Sequence, residues 1–120
     1  MTDWTEVARW AIAAVPAEDR RGAVLYLDRR VIAPGERVAA GGAALVAAAP
    51  SALAFLDRVP EANWGHPCRY LLINLATGAA RTAEATHPPF LRSAAPTLRA
   101  IARDPTVPDW TLAAPYEPPD

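Results

Sequence analysis

The chain has 120 residues, 52% hydrophobic and 21% charged, with a formal net charge of −1 at pH 7. That length suits a single domain burying roughly two-thirds of the surface of its unfolded chain, and the composition excludes a disordered polymer. The near-neutral charge and scattered arginines supply no basic field for a phosphate backbone, so nucleic acid is not an expected partner.

Asp3 followed by Glu6 has the spacing of a reciprocal capping pair, with Asp in place of the usual Ser or Thr. Trp4, Val7, Ala8, Ala11, Ile12 and Val15 then recur every three or four residues, predicting an amphipathic helix from Trp4 to Val15 that Pro16 stops. Trp10 lies beside that stripe. The acidic start Met1 to Glu6 lacks the basic and then apolar character of a secretory signal, so a cytoplasmic location is expected.

Past the polar turn Pro16 to Gly22, the run Ala23 to Asp28 is rich in strand formers, with Arg29 to Ile32 as an extension. Ala33-Pro34-Gly35-Glu36 puts Pro and Gly at the centre of a type II turn, which predicts a hairpin returning through Arg37 and Val38. Gly41-Gly42 interrupts the pattern. Ala43 to Ala49 combines helix-favouring alanine with the length and flanking residues of a strand, and is read as a strand. Ala52 to Asp57 reads as a buried strand closed by Pro60. The nearest approach to a membrane span, Val38 to Leu56, is nearly half alanine and contains Gly41, Gly42 and Pro50, so none is expected.

Cys68 to Leu75 and Ala79 to Thr86 flank Thr77-Gly78 and predict a hairpin. Its second strand mixes alanine with polar residues on both faces, as suits a sheet edge. Ser93 has the chemistry to cap a short helix from about Ala94 to Arg103, with Pro96 in its first turn and Leu98, Ile101 and Ala102 on its buried face. Five of the 13 prolines follow Asp104, so residues 105–120 form an extended tail on a domain of residues 1–104. Val107, Trp110, Leu112 and Tyr116 give that tail apolar side chains to pack along its own domain or on a partner.

These elements predict an α+β fold: an antiparallel sheet of about four to six strands in meander order, with the N-terminal helix and the short C-terminal helix on one face. Alanine accounts for 28 residues, so the core depends on a few large side chains: Trp4, Trp10, Ile12, Leu25, Leu27, Phe55, Leu56, Tyr70, Leu72 and Ile73. There are 12 arginines and no lysine, a bacterial-like composition that base-composition bias or selection against amine-directed modification would each produce.

Side chains able to do chemistry gather between Phe55 and Tyr70. A single cysteine excludes an internal disulfide. Cys68 reads either as a small buried apolar residue or as a nucleophile served by His87 or His66, with Asn63 or backbone amides to stabilise an oxyanion. Pro67 holds His66 away from Cys68, whereas a hairpin turning at Thr77-Gly78 brings residue 87 roughly opposite 68. His66, His87 and Cys68, with Asp57 or Glu61, lack any recognised metal-ligand spacing, so neither metal nor cofactor is expected. Asp57, Glu61 and Glu84 read as solvated strand ends or as an acid–base pair. Asn63 and Gly65 let a tight loop form around Trp64, which is folded inward or presented outward beside Arg58, Arg69 and Tyr70.

The preferred reading is a small non-catalytic protein-interaction or accessory domain: an adaptor, inhibitor, immunity protein or complex subunit. It binds another protein through Trp64, Arg58, Arg69 and Tyr70, through the sheet edge, and through Trp110 and Tyr116 of the tail. The same edge would serve a homodimer. The second reading is a cysteine-dependent enzyme. The third is a small-molecule binding domain with its pocket between helices and sheet.

Overall fold

The structure, a computed structural model, describes residues 1–40, 43–62, 67–86 and 96–119. Helix α1 (Trp4–Ala13) begins where the capping pair places it, with Asp3 Oδ1 accepting from the Glu6 N–H at 3.2 Å. It buries Val7, Ala8 and Ala11, and Trp4, Trp10 and Ile12 pack half-buried around them. A 3₁₀ turn, Ala17–Arg20, then leads into the sheet.

The strands are β1 (Val24–Asp28), β2 (Arg37–Ala40), β3 (Ala43–Val46), β4 (Ser51–Asp57), β5 (Cys68–Asn74), β6 (Ala80–Ala85) and β7 (Leu98–Arg103). Five form the main sheet in the order β6-β5-β4-β1-β7, and β2 and β3 form a separate ribbon. Every strand pair is antiparallel, so the fold is α+β, mostly sheet, with β6 at an edge as its sequence predicts.

Three expectations need correction. The turn at Ala33–Glu36 forms, with Gly35 at φ 85° and the Glu36 N–H bonded to the Ala33 carbonyl at 3.0 Å. It does not fold β2 onto β1, because the Gly35 N–H donates to the Ala47 carbonyl and the Ala47 N–H to the Glu36 carbonyl, which commits β2 to β3. Only Ile32, bridged to Ser51, continues the line of β1. The order is therefore not a simple meander: β4, β5 and β6 follow one another, while β1 lies between β4 and β7.

The C-terminal helix is absent, since Leu98–Arg103 is strand β7. Leu98, Ile101 and Ala102 fit a helical stripe, yet Leu98 and Ala100 alternate just as a strand requires, and a run this short fits both periods. Pairing decides between them. β1 is buried along its whole length and needs a neighbour on its second side to satisfy its backbone. The proposed cap Ser93 lies outside the described residues.

The sheet is apolar on both faces. One bears Leu25, Leu27, Ala52, Ala54, Leu56, Leu71, Ile73 and Ile101, covered by α1. The alanines Ala8, Ala11, Ala52 and Ala54 fill this layer with little bulk. The other bears Val24, Leu53, Cys68, Leu72, Leu98 and three aromatic rings from adjacent strands. Tyr26 stacks on Phe55 with centroids 4.7 Å apart, and Phe55 lies 6.5 Å from Tyr70 in a tilted arrangement. The β2–β3 ribbon and the segment after β7 cover this face with Val38, Leu45, Val107, Leu112 and Ala114. The tail is tied by backbone bonds from Ala100 N–H to Pro115 and from Glu117 N–H to Ala100, both 2.8 Å, and by Ala113 N–H donating to the Tyr26 hydroxyl at 3.0 Å. No described helix is long and apolar enough to cross a membrane.

Gly78, in the β5–β6 loop, has φ 77°, and a Cβ there would lie 2.8 Å from Cε2 of Trp10. Gly22 has φ 67° with nothing within 4 Å of its Cβ position. Gly22→Ala should cost about 1 kcal/mol of backbone strain, whereas Gly78→Ala should cost about 2 kcal/mol or more because Trp10 must also move. Urea unfolding of both variants measures this, and equal losses would show that Trp10 does not pack on the loop.

Candidate functional site

The strand registers place Ala85, Cys68, Asp57, Val24 and Arg103 in one row across the main sheet. The chemistry-bearing residues of the 55–70 stretch thus collect at one end of the sheet. Asn63, Trp64, His66 and His87 lie outside the described residues.

Cys68 is 1% exposed and Tyr70 is also 1% exposed. The strand period explains both: alternate residues of β5 point to one face, so Cys68, Tyr70 and Leu72 enter the same aromatic layer. Tyr70 is therefore a core residue and not part of an outward-facing hot spot. Burial pushes its phenol well above the ordinary value of 10.0, with a smaller push from neighbouring Cys68. Burial raises the Tyr26 phenol as well, against the lowering effect of its bond from Ala113. Asp57, 9% exposed, accepts from the Val59 N–H at 3.0 Å and so closes the exit of β4.

The expected pairing of residue 68 with 87 is also corrected, since Cys68 pairs with Ala85. Asn74 is the cause. Its side chain accepts from the N–H groups of Ala76 and Thr77 at 2.8 and 3.2 Å, and its carbonyl accepts from Gly78 N–H at 2.8 Å. The turn therefore spans Leu75 to Gly78 and closes where the Asn74 N–H bonds to the Ala79 carbonyl, not at Thr77-Gly78 alone. Asn74 was the sequence signal for this longer loop. Among the described residues, no group of His, Cys, Asp and Glu side chains could hold a metal ion.

Arg58 and Arg69 do meet, through Glu84. Arg69 Nε donates to Glu84 Oε2 at 2.8 Å and its Nη1 to Asp19 Oδ2 at 3.0 Å, while Arg58 Nη1 lies 3.6 Å from Glu84 Oε1. Glu84 first, and Asp19 after it, hold the Arg69 guanidinium firmly charged against the opposing effect of desolvation. Arg69 thus ties β5 to β6 and to the 3₁₀ turn Ala17–Arg20, while Arg58 remains exposed.

At the opposite edge, the tail presents the remaining aromatics. Trp110 is 72% exposed and Tyr116 is 42% exposed. Trp110 stands in a 3₁₀ turn, Asp109–Thr111, held by an ion pair between Asp109 and Arg103 and by Thr111 Oγ1 donating to the Pro108 carbonyl at 2.7 Å. The Arg103 guanidinium lies over the Tyr116 ring, 5.1 Å from its centroid. Buried Val107 and half-buried Leu112 anchor the turn on either side. Sequence reasoning found Trp110 and Tyr116 but missed Arg103 and Asp109, whose pairing depends on β7 being a strand.

Comparison with protein-family models, with curated proteins and with solved structures gives no match to this chain.

The buried tyrosines set an alkaline limit. Unfolded tyrosine ionises near 10.0 while the folded phenols hold their protons to higher pH, so the stability they contribute is full below pH 10 and falls as pH rises beyond it. Unfolding free energy measured from pH 8 to 11.5 should decline above pH 10, and the decline should be shallower in Tyr70→Phe. An unchanged slope in that variant would contradict the burial of Tyr70.

Proposed function

We propose that this chain is a non-catalytic protein-interaction or accessory domain whose partner docks on the tail turn, with Trp110 at the centre and Tyr116 and Arg103 beside it. One observation carries the reading: Trp110 is 72% exposed although its turn is pinned by the Arg103–Asp109 pair and by buried Val107. A large aromatic held rigidly in water forgoes its own burial and is already ordered for association, so docking immobilises little further chain. Edge strand β6, with Arg81, Thr82 and Glu84 exposed, offers a second docking element by strand addition, to a partner or to another copy. Trp64 joins this reading from the sequence alone, and Arg58 adds an exposed cation at the β6 side.

The burial of Cys68 at 1% weighs against the cysteine-dependent enzyme, because a nucleophile must reach its substrate. A cytoplasmic location accords with a lone buried thiol and remains part of the proposal.

Affinity capture from a lysate of the source cells tests the reading, using the intact chain, Trp110→Ala, and Val31→Ala as a control at another exposed apolar position. Trp110→Ala should lower retention of a stoichiometric partner at least about tenfold while leaving the thermal midpoint within about 2 °C of the parent. Equal retention by all three proteins would move the interface elsewhere, and no stoichiometric partner would overturn the reading.

A further inference from the structure

The helix-bearing face of the sheet is not filled to its end. Between the 3₁₀ turn Ala17–Arg20, the adjoining ends of β1 and β4, and the turn after β7 lies a cleft of about 240 Å³. Ala17, Ala23, Leu25, Leu56, Ala102 and Pro105 give it apolar walls. Its origin is local: from Pro16 to Gly22 the chain offers no large apolar side chain to the space that α1 covers further along the sheet.

Arg20 and Arg21 line the same cleft. Neither guanidinium makes a hydrogen bond or ion pair among the described residues, and the nearby carboxylates, of which Asp104 also lines the cleft, have other hydrogen-bond partners. Asp19 is bonded to Arg69 at 3.0 Å. Asp104 accepts from Gly22 N–H at 2.7 Å, from Thr106 N–H at 2.9 Å and from the Thr106 hydroxyl at 2.8 Å. Those bonds, led by the Thr106 amide, hold Asp104 ionised below the usual carboxylate range, with a smaller contribution from the field of Arg21. Glu18, on the same turn, forms no ion pair with either arginine among the described residues. Apolar walls and two guanidinium groups that form no ion pair among the described residues are complementary to a molecule with a hydrocarbon body and one negative end.

We propose that this cleft binds a small monocarboxylate with an apolar body, its tail against Leu25, Leu56 and Ala102 and its carboxylate between Arg20 and Arg21. An apolar cavity of about 150 Å³ accommodates benzene, so a cleft of about 240 Å³ accommodates about ten non-hydrogen atoms. Octanoate has that size. A fully hydrated oxyanion such as phosphate would leave the apolar walls without contact, and a neutral alcohol of equal length would leave both guanidinium groups unmatched.

The test uses the intact chain and follows backbone amide resonances during titration with sodium octanoate, with 1-octanol and inorganic phosphate as comparison probes. Octanoate should bind saturably with micromolar to millimolar affinity and shift the amides of Arg20, Arg21, Ala23, Ala102 and Asp104. Arg20→Gln with Arg21→Gln should weaken it about tenfold, by loss of charge-assisted bonding. Ala102→Leu, which fills the cleft while keeping both arginines, should abolish it; spectra without ligand establish that each variant is folded. Octanol or phosphate binding as well as octanoate would overturn the proposal, as would shifts centred away from these residues. So would the absence of saturable shifts up to about 5 mM octanoate, where even millimolar affinity registers. The readout concerns this chain alone, so its failure is distinct from any failure to find a protein partner at Trp110.

Discussion

The central constraint is a five-stranded sheet that is apolar on both faces. All five residues of β1 and all seven of β4 are buried, so neither strand has a water-facing side. An antiparallel sheet of this kind needs two covers, and this chain makes them from different material. Helix α1 supplies one. The β2–β3 ribbon and the segment after β7 supply the other, over the stacked rings of Tyr26, Phe55 and Tyr70. The proline-rich tail is consequently a packed layer, fastened by backbone bonds to Ala100 and by Ala113 to the Tyr26 hydroxyl.

This constraint redistributes the residues that the sequence makes conspicuous. Cys68 and Tyr70 fall on the aromatic side of β5, Arg69 on the other side, where it meets Glu84 and Asp19. Three adjacent residues with reactive or polar groups thus serve the core and its ionic seam. Among the described residues, the exposed aromatics left for recognition stand on the covering layer, at Trp110 and Tyr116. The cleft beside Arg20 and Arg21 lies under the opposite cover, past the end of α1. Both functional proposals therefore concern places where covering the sheet leaves an aromatic side chain or apolar space in contact with water.

Local chemistry was enough to read much of the fold. Asp3 and the three-to-four spacing of apolar residues defined α1, the run from Ala52 to Asp57 defined β4, and the sequence around Gly78 announced the β5–β6 hairpin. The failures were non-local. The type II turn at Pro34-Gly35 was legible, but which strand it served depended on the pairing of Ala47 with Glu36. Leu98 to Arg103 satisfied two periodicities, and the open side of β1 selected the strand. Within the site, Trp110 and Tyr116 were visible as aromatics in a polar tail. Their support from Arg103 was not, because it depends on Leu98 to Arg103 forming a strand, and that run fits a helical period equally well. The two-residue displacement of the pairing at Cys68 could have been read from Asn74, whose side chain organises the longer turn.

The account stands on the tail being a layer of the fold, and native-state hydrogen exchange at its anchor amides tests this most directly. The N–H groups of Ala100, Ala113 and Glu117 each have an acceptor across the tail contact. All three should exchange at least about a hundredfold more slowly than in an unstructured chain. Exchange of Ala113 and Glu117 at unstructured rates in the folded protein would contradict the account: it would free the tail from the aromatic face and remove the rigid support beneath Trp110.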